Sequence, residues 1–254
     1  MVNVKVQKKD LKFEKRNERF IDSMSKDPVV KKLSDKWFMA CHKYEYSYHF
    51  IWLGLPIIQY PQDIIAMQEI IWKIKPDLII ETGIARGGSL ILSASILELI
   101  GHGTVLGIDV DIKEFNKKNI KKNHLAKRIS MIQGSSIDKK VVNQVKKLAK
   151  GKKRILLFLD SDHSFEHVLT ELKSYSSLIK KGSYIVVFDT VIENFPNNWL
   201  KKHGIDRPWN KTNNPKTAVK EFLKINKRFK IDTDIEKKLL VTVAPKGFLK
   251  CVKN

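Results

Sequence analysis

The sequence of 254 residues contains few cysteines and no long apolar run. Its two cysteines, Cys41 and Cys251, lie far apart and form no CxxC motif, which argues against a disulfide framework and a zinc cluster. Runs of roughly 18 or more uncharged apolar residues are absent, so the sequence predicts no transmembrane helix. The first ten residues lack the apolar core of a secretory signal, and we therefore expect a cytoplasmic protein.

Acidic residues are also scarce, since 27 aspartates and glutamates against 48 lysines and arginines give a formal net charge of +21. Such an excess favours a polyanionic partner, either nucleic acid or an anionic membrane surface. The lysines, however, are spread along the chain in pairs such as Lys117-Lys118 and Lys146-Lys147, which is typical of solvated helix faces. No helix-turn-helix or RNA-binding signature occurs, so we expect no nucleic-acid partner and leave peripheral contact with an anionic membrane open.

Short β-branched strands alternate with helix-length segments from residue 61 onward. Strands are predicted at 77–83, 104–109, 129–133, 154–159 and 183–188. Two closing strands are predicted at 229–232 and 239–252, the second with a Pro-Lys-Gly turn at 245–247 and one of the two antiparallel. This repetition predicts an α/β fold: a Rossmann-like, doubly wound, mostly parallel seven-stranded sheet with helices on both faces. We assign residues 61–254 to this domain, because the chain shows no internal repeat or low-complexity linker.

Residues 1–60 are expected to form an N-terminal helical and aromatic extension. Up to about residue 35 the chain is dense in charge and predicts one or two amphipathic helices or a partly ordered arm. Five aromatic residues then fall between Tyr44 and Trp52. They form either the wall of a pocket or a hydrophobic cap over the core.

A glycine-rich turn follows the first strand of the predicted sheet. In Glu81-Thr82-Gly83-Ile84-Ala85-Arg86-Gly87-Gly88-Ser89 the glycines let a ligand approach the backbone, and the next helix offers free N–H groups at its start. The spacing differs from the G-x-G-x-x-G of dinucleotide-binding proteins, and the acidic Glu81 suits an amino-bearing ligand. The pattern favours S-adenosylmethionine, with contacts predicted at Glu81, Thr82, Gly83, Ala85, Gly87 and Ser89.

The next two strands end in further candidate cofactor residues. Asp109 ends its strand where a doubly wound fold places an acid against ribose hydroxyls. Gly134, Ser135 and Ser136 form the partner turn. Glycine turns and strand-end acids also occur as ordinary turns and caps, so only their order and spacing together indicate a nucleoside cofactor.

Carboxylates end the two strands that follow. Asp160 and Asp162 come after one strand and Asp189 after the next, so all three face the same crevice, where oxygen ligands suit Mg²⁺ or Mn²⁺. Because aspartate also caps helices, one of Asp160 and Asp162 could serve only as a cap. His163 is a metal ligand, a general base or a histidine that orients Asp162, and these roles stay open.

Several blocks of the chain together carry a family resemblance. They are residues 54–63 (Gly-Leu-Pro-Ile-Ile-Gln-Tyr-Pro-Gln-Asp), 75–83, 160–163, and Arg207-Pro208-Trp209 with Asn214-Pro215. From about residue 52 to 248 the chain resembles the cephalosporin hydroxylase-like family of class I methyltransferases, which includes rhamnosyl O-methyltransferases. The resemblance implies methyl transfer to an oxygen, with S-adenosylmethionine at Glu81, Gly83, Asp109 and the turn at 134–136, and Mg²⁺ at Asp160 and Asp189.

The resemblance also bears on catalysis and on the acceptor. Relatives often carry Glu-Asp where this chain has Phe188-Asp189, so we expect Asp162 or His163 to supply a replacement ligand. Asp160, Asp162 and His163 are the candidate catalytic residues, with Asp162 or His163 as the base. The implied acceptor is a saccharide or glycolipid hydroxyl, as in polysaccharide biosynthesis, with a small phenolic metabolite as the next choice.

Two other functions and the oligomeric state are left open by the sequence. The basic charge permits an RNA methyltransferase, and loss of metal chemistry would leave a non-catalytic scaffold that binds the donor or an anionic surface. A homo-oligomer is equally compatible with the chain.

Overall fold

The computed structural model describes residues 10–254, which form helices packed around a central sheet. The strands are β1 (Phe50–Trp52), β2 (Leu55–Ile57), β3 (Leu78–Thr82), β4 (Thr104–Asp109), β5 (Ile129–Gln133), β6 (Ile155–Leu159), β7 (Tyr184–Val187), β8 (Phe229–Ile231) and β9 (Phe248–Cys251). The helices are α1 (Leu11–Lys26), α2 (Pro28–His42), α3 (Pro61–Ile74), α4 (Gly88–Ile100), α5 (Glu114–Lys122), α6 (Lys139–Ala149), α7 (Phe165–Tyr175), α8 (Trp199–Lys202), α9 (Pro215–Ile225) and α10 (Thr233–Leu239).

Seven of these strands form one sheet in the order β5-β4-β3-β6-β7-β9-β8. The neighbours from β5 to β7 are parallel, and β9 runs antiparallel to both β7 and β8. Alternate residues of the strands point to opposite faces, so Ile79 belongs to the core cluster under α3 and α4, and Ile80 to the one under α6, α7 and α9. The predicted doubly wound, mostly parallel seven-stranded sheet is confirmed.

The chain changes direction across the sheet between β3 and β6. From β3 it moves outward through β4 to β5, and it then returns to place β6 on the other side of β3. At such a switch point the loops that leave the carboxyl ends of the two strands diverge and open a crevice. The loops after β3 and β6 are the two that carry the glycine turn and the Asp160 to His163 segment.

The predicted closing strand at 239–252 is wrong over its first half. Asp232 accepts a hydrogen bond from the N–H of Asp234 and starts α10, which Leu239 ends. The segment after it is held by Asp63 of α3, a fully buried carboxylate that binds the Thr242 hydroxyl and the Val243 N–H. Because the N–H groups of Val243 and Ala244 are bonded to the side chains of Asp63 and Thr242, they are not available for a sheet ladder, and β9 begins only at Phe248.

The N-terminal region contributes two helices and a hairpin. Asp10 and Asp27 cap α1 and α2, and the part of the predicted extension at residues 1–9 lies outside the described residues. The β1–β2 hairpin packs on the start of α4, where a Cβ on Gly88 would lie 2.3 Å from the carbonyl oxygen of Pro56. The division of the chain at residue 60 stays a prediction.

None of the helices within residues 10–254 combines the length and the apolarity that a membrane span requires.

Candidate active site

The glycine turn after β3 is built around a buried carboxylate. Glu81 is 2% exposed, and one of its oxygens accepts a hydrogen bond from the Ser89 hydroxyl of α4. Burial raises the pKa of Glu81 to about 7, although the Ser89 bond opposes this shift. Within the described residues the other Glu81 oxygen and the Thr82 hydroxyl have no hydrogen-bond partner. The turn therefore offers buried polar atoms that a bound ligand would satisfy.

The turn itself takes a shape that glycine makes possible. Gly83 has φ +89°, and a Cβ there would lie 2.1 Å from the carbonyl oxygen of Asp160. Gly87, at φ +86°, precedes α4, whose first N–H groups point toward the turn. Ala85 has φ 43°, a left-handed conformation that is strained for a residue with a side chain.

Asp109, at the end of β4, holds this turn in place. One of its carboxylate oxygens accepts hydrogen bonds from the N–H groups of Ile84 (2.8 Å) and Ala85 (3.3 Å). The other accepts the N–H of Asp111 at 3.0 Å. The predicted contact of Asp109 with ribose hydroxyls stays a prediction, and the structure adds a positioning role that the sequence did not indicate.

The predicted turn at 134–136 lies beside Asp109, and its Ser136 side chain binds α7. The Gly134 N–H donates to the Asp109 carbonyl at 2.8 Å. The carbonyl of Ser135 accepts the N–H of Asp138 at the start of α6. The Ser136 hydroxyl donates to the buried Glu171 of α7 at 2.6 Å, so any contact of Ser136 with a cofactor falls to its backbone.

Asp160, His163 and Asp189 come together at the carboxyl ends of β6 and β7. Their potential ligand atoms all lie within 4.8 Å of one another. His163 Nε2 is 2.9 Å from a carboxylate oxygen of Asp189, whose backbone has φ 53°. The two carboxylates offer the oxygen ligands that Mg²⁺ or Mn²⁺ prefers, and the imidazole lies beside them.

The charges of this cluster are strongly coupled. Burial alone would lower the pKa of His163, but the charge and hydrogen bond of Asp189, with the charge of Asp160, raise it to about 9. His163 in turn holds the pKa of Asp189 below its usual value against the effect of burial. Burial and the neighbouring Asp189 raise the pKa of Asp160 well above the usual range. At neutral pH His163 is thus protonated.

Asp162 lies outside this cluster. One of its carboxylate oxygens accepts the N–H of Ser164 at 2.7 Å, next to the start of α7, and this hydrogen bond lowers its pKa although partial burial opposes the shift. This contact is a local turn before the helix and not the capping contact that the sequence left open for one of the two aspartates, because Ser164 is the N-cap residue of α7 and its own side chain makes no capping hydrogen bond. Asp162 and His163 were the two residues expected to replace the ligand missing at Phe188, and only His163 lies in the cluster described here. Phe188 itself is buried against Phe158.

Gln59 is a site residue that sequence reasoning did not single out. Its side-chain N–H donates to a carboxylate oxygen of Asp160 at 3.0 Å, and its own oxygen is buried without a partner in the described residues. Gln59 stands between the β1–β2 hairpin and α3, in the block at 54–63 that carries the family resemblance. That block was its only signal, because 101 residues separate it from Asp160.

Aromatic and basic residues form the rim of the cluster. The Trp209 ring meets His163 edge-on at 4.8 Å, and the Arg207 guanidinium lies 5.6 Å from the Trp209 ring. Tyr48 is exposed, and the charges of Asp189 and Asp160 add to the effect of partial burial in raising its pKa. The aromatic residues at 44–52 were expected to form either a pocket wall or a hydrophobic cap. Tyr48 fits a pocket wall, whereas Tyr46 packs against Tyr60 as part of a cap.

A family model and individual relatives of similar sequence both point to rhamnosyl O-methyltransferases. A sequence model of the family described as Rhamnosyl O-methyltransferase/CmcI matches residues 44–252. A rhamnosyl O-methyltransferase from Mycobacterium bovis is 30% identical over 218 residues, covering 82% of this chain and 82% of the relative.

Solved structures of CmcI share the fold. An apo structure has a TM-score of 0.56 at 20% identity and covers 82% of this chain and 78% of its own. A CmcI structure with Mg and SAM has a TM-score of 0.56 at 18% identity, covering 81% and 77%.

Proposed function

The chain belongs to the rhamnosyl O-methyltransferase/CmcI family, and from that premise we propose that it transfers the methyl group of S-adenosylmethionine to a saccharide hydroxyl with the help of Mg²⁺ or Mn²⁺. The observation that carries the proposal is the junction of the glycine turn with the carboxylate–histidine cluster. The Asp160 N–H donates to the Thr82 carbonyl at 2.9 Å, so a donor at the turn lies next to the cluster. An acceptor oxygen held at the cluster would then face the donor methyl group.

The donor site is assigned to the residues of the turn and its neighbours. Glu81 and Thr82 offer the buried atoms without partners that an amino-bearing ligand would satisfy, and Asp109 fixes the backbone of Ile84 and Ala85. Gly83, Gly87 and Ser89, together with the turn at 134–136, complete the predicted contacts. The assignment of these residues is part of the proposal.

The reacting residues are assigned to Asp160, Asp189 and His163. When bound, S-adenosylmethionine supplies an electrophilic methyl group, and the cation lowers the pKa of the acceptor hydroxyl. Asp160 and Asp189 would hold the cation, and His163 would take the proton of the acceptor hydroxyl. The Asp189 carboxylate, 2.9 Å from His163 Nε2, stabilises the imidazolium that results. Asp162 suits the role of base less well, because its lowered pKa and its bond to Ser164 oppose protonation.

Cation binding is expected to release protons and to strengthen as the pH rises. The pKa of His163 is about 9, so its imidazole is protonated at pH 7, and the charge of a cation held by Asp160 and Asp189 would lower that pKa and release the proton. Between about pH 7 and 9 the apparent Mg²⁺ affinity should rise up to about tenfold per pH unit for each proton released. Isothermal titration in two buffers of different ionisation enthalpy measures this release.

His163→Gln is the matched control for this prediction, since glutamine binds no proton. In that variant the pH dependence of Mg²⁺ binding should weaken, with only the contribution of Asp160 left. A wild-type affinity that stays constant over the same pH range, without proton release, would contradict the placement of His163 beside the cation site.

The acceptor is placed on the rim of the cluster, between Tyr48 and Trp209. Their aromatic surfaces suit the apolar face of a sugar ring. A cavity of about 290 Å³ beyond the rim, lined by the end of α2 and by α8, has space for a further part of the acceptor. Arg207, whose guanidinium lies beside the Trp209 ring, would bind an acidic part of the acceptor, whereas the Lys216 ammonium is already held by Asn194 and Glu193. A cytoplasmic location, a homo-oligomeric state and contact with an anionic membrane remain expectations.

Donor binding is the experiment that tests this proposal. Isothermal titration of the purified, donor-free protein with S-adenosylmethionine, with and without Mg²⁺, should give a saturable heat of binding. A folded protein that binds no donor in either condition would refute the proposed function.

A further inference from the structure

A buried carboxylate behind the site has no role in the chemistry described above. Glu171 lies in the middle of α7 and is 0% exposed. One of its oxygens has no hydrogen-bond partner in the described residues. Burying a carboxylate is costly, and replacing a buried ionic group with a neutral one of similar volume is often neutral or stabilising. Stability alone is therefore a poor explanation for a glutamate at this position.

The other oxygen of Glu171 binds two loops at once. It accepts the hydroxyl of Ser136 at 2.6 Å and the hydroxyl of Ser161 at 2.8 Å. Ser136 belongs to the turn after β5, next to the Asp109 carbonyl, and Ser161 lies between Asp160 and Asp162 after β6. The strands β5 and β6 are not neighbours, because β4 and β3 lie between them. Glu171 is thus a direct bridge between the donor side and the metal side of the crevice.

His167, one helical turn before Glu171, completes the bridge. Its Nε2 lies 3.5 Å from the bonded Glu171 oxygen, 2.9 Å from the Ser136 hydroxyl and 3.2 Å from the Ser161 hydroxyl. Burial lowers the pKa of His167, but the hydrogen bond and charge of Glu171 outweigh that effect and raise it. The Tyr175 hydroxyl, also from α7, donates to the Ser136 carbonyl at 2.5 Å and fixes the same turn from its backbone.

We propose that Glu171 is a positioning residue that couples the turn at 133–136 to the loop at 160–163, so that donor binding and the geometry of the metal cluster depend on each other. The proposal rests on the proposed function, because it assigns the donor to one loop and the cation to the other. Glu171 touches neither reactant. It acts through Ser136 and Ser161, whose hydroxyls share a single oxygen as acceptor.

The test compares Glu171→Gln with Glu166→Gln, an exposed glutamate on the same helix. Glutamine keeps the volume and one acceptor oxygen but removes the charge from both serine bonds. We expect the melting temperature of Glu171→Gln to stay within a few degrees of the wild type. We expect its S-adenosylmethionine affinity to fall about tenfold, as for loss of a charged hydrogen-bond acceptor. Glu166→Gln should change neither quantity.

Ser161→Ala, placed in both backgrounds, separates coupling from a merely structural role. In the wild-type background this change on the metal side should weaken donor binding. It should also raise amide hydrogen exchange at 133–136. In the Glu171→Gln background both effects should largely disappear, because the bridge is already broken. A purely structural glutamate would instead lower the melting temperature and leave the two Ser161→Ala effects additive.

The outcomes also distinguish failure of this proposal from failure of the proposed function. If the wild type binds the donor and Glu171→Gln binds it equally well, the coupling is refuted and the function stands. If the wild type binds no donor, the function is refuted, and hydrogen exchange at 133–136 in Ser161→Ala then decides on the coupling alone. Unchanged exchange there would overturn it.

Discussion

Asp160→Asn should lower the rate of methyl transfer by about 100- to 1,000-fold, as expected for loss of one preorganised charged group at a reacting centre. The substitution keeps the size of the side chain and removes the carboxylate that Gln59 holds in the cluster. Affinity for S-adenosylmethionine without added metal should change much less, because the donor contacts are assigned to the turn after β3. Single-turnover rates and isothermal titration measure the two quantities separately.

Asp162→Asn is the matched control, two residues along the same loop. Its carboxylate is exposed and binds the Ser164 N–H, so the substitution should cost at most about 1 kcal/mol of stability and leave the rate within a few-fold. If Asp162→Asn removed activity while Asp160→Asn retained it, the assignment of the metal side of the site would be wrong.

Gly83→Ala should have the second large effect, on both folding and donor binding. The new Cβ would lie 2.1 Å from the Asp160 carbonyl oxygen, and alanine is strained at φ +89°. Together these effects should lower the free energy of unfolding by about 2–5 kcal/mol. The Asp160 loop would have to move to relieve this contact. A small displacement of the loop beside the donor site should weaken donor binding by about 100-fold.

Gly101→Ala separates the two causes in this prediction. Gly101 has φ +90°, and a Cβ there would meet no atom within 4 Å. The substitution should therefore cost only the conformational strain, about 1–2 kcal/mol, and leave donor affinity unchanged. Chemical denaturation and isothermal titration measure both variants. If Gly83→Ala and Gly101→Ala lost equal amounts of unfolding free energy and donor affinity, the close approach of Gly83 to Asp160 would be unimportant.

The sequence predicted what depends on local pattern and on the order of strands. Alternating strands and helices identified the sheet, and strand-end positions placed Asp160 and Asp189 at one edge. The position of the strand ends could not show whether Asp162 or His163 turns toward Asp189, because that depends on the path of the loop after β6. The structure selects His163 and directs Asp162 to the start of α7.

Contacts between residues distant in sequence were beyond the reach of pattern. Gln59 binds Asp160, 101 positions away in the sequence, and Ser136 binds Glu171, 35 positions away. No periodic pattern in the sequence indicates either contact. The helix that ends at Leu239 was missed for a similar reason. The hydrogen bonds of the following segment to the distant Asp63 stop the apolar residues there from joining the sheet.

Transfer of an isotopically labelled methyl group is the direct test of saccharide O-methylation by this protein. The protein is incubated with methyl-labelled S-adenosylmethionine, Mg²⁺ and a panel of rhamnosyl and other saccharide acceptors, and the products are analysed by mass spectrometry and NMR. We expect a labelled methyl ether on a saccharide oxygen, an equal amount of S-adenosylhomocysteine, and loss of both in Asp160→Asn. Label on carbon or nitrogen, or undiminished transfer by Asp160→Asn, would contradict this expectation.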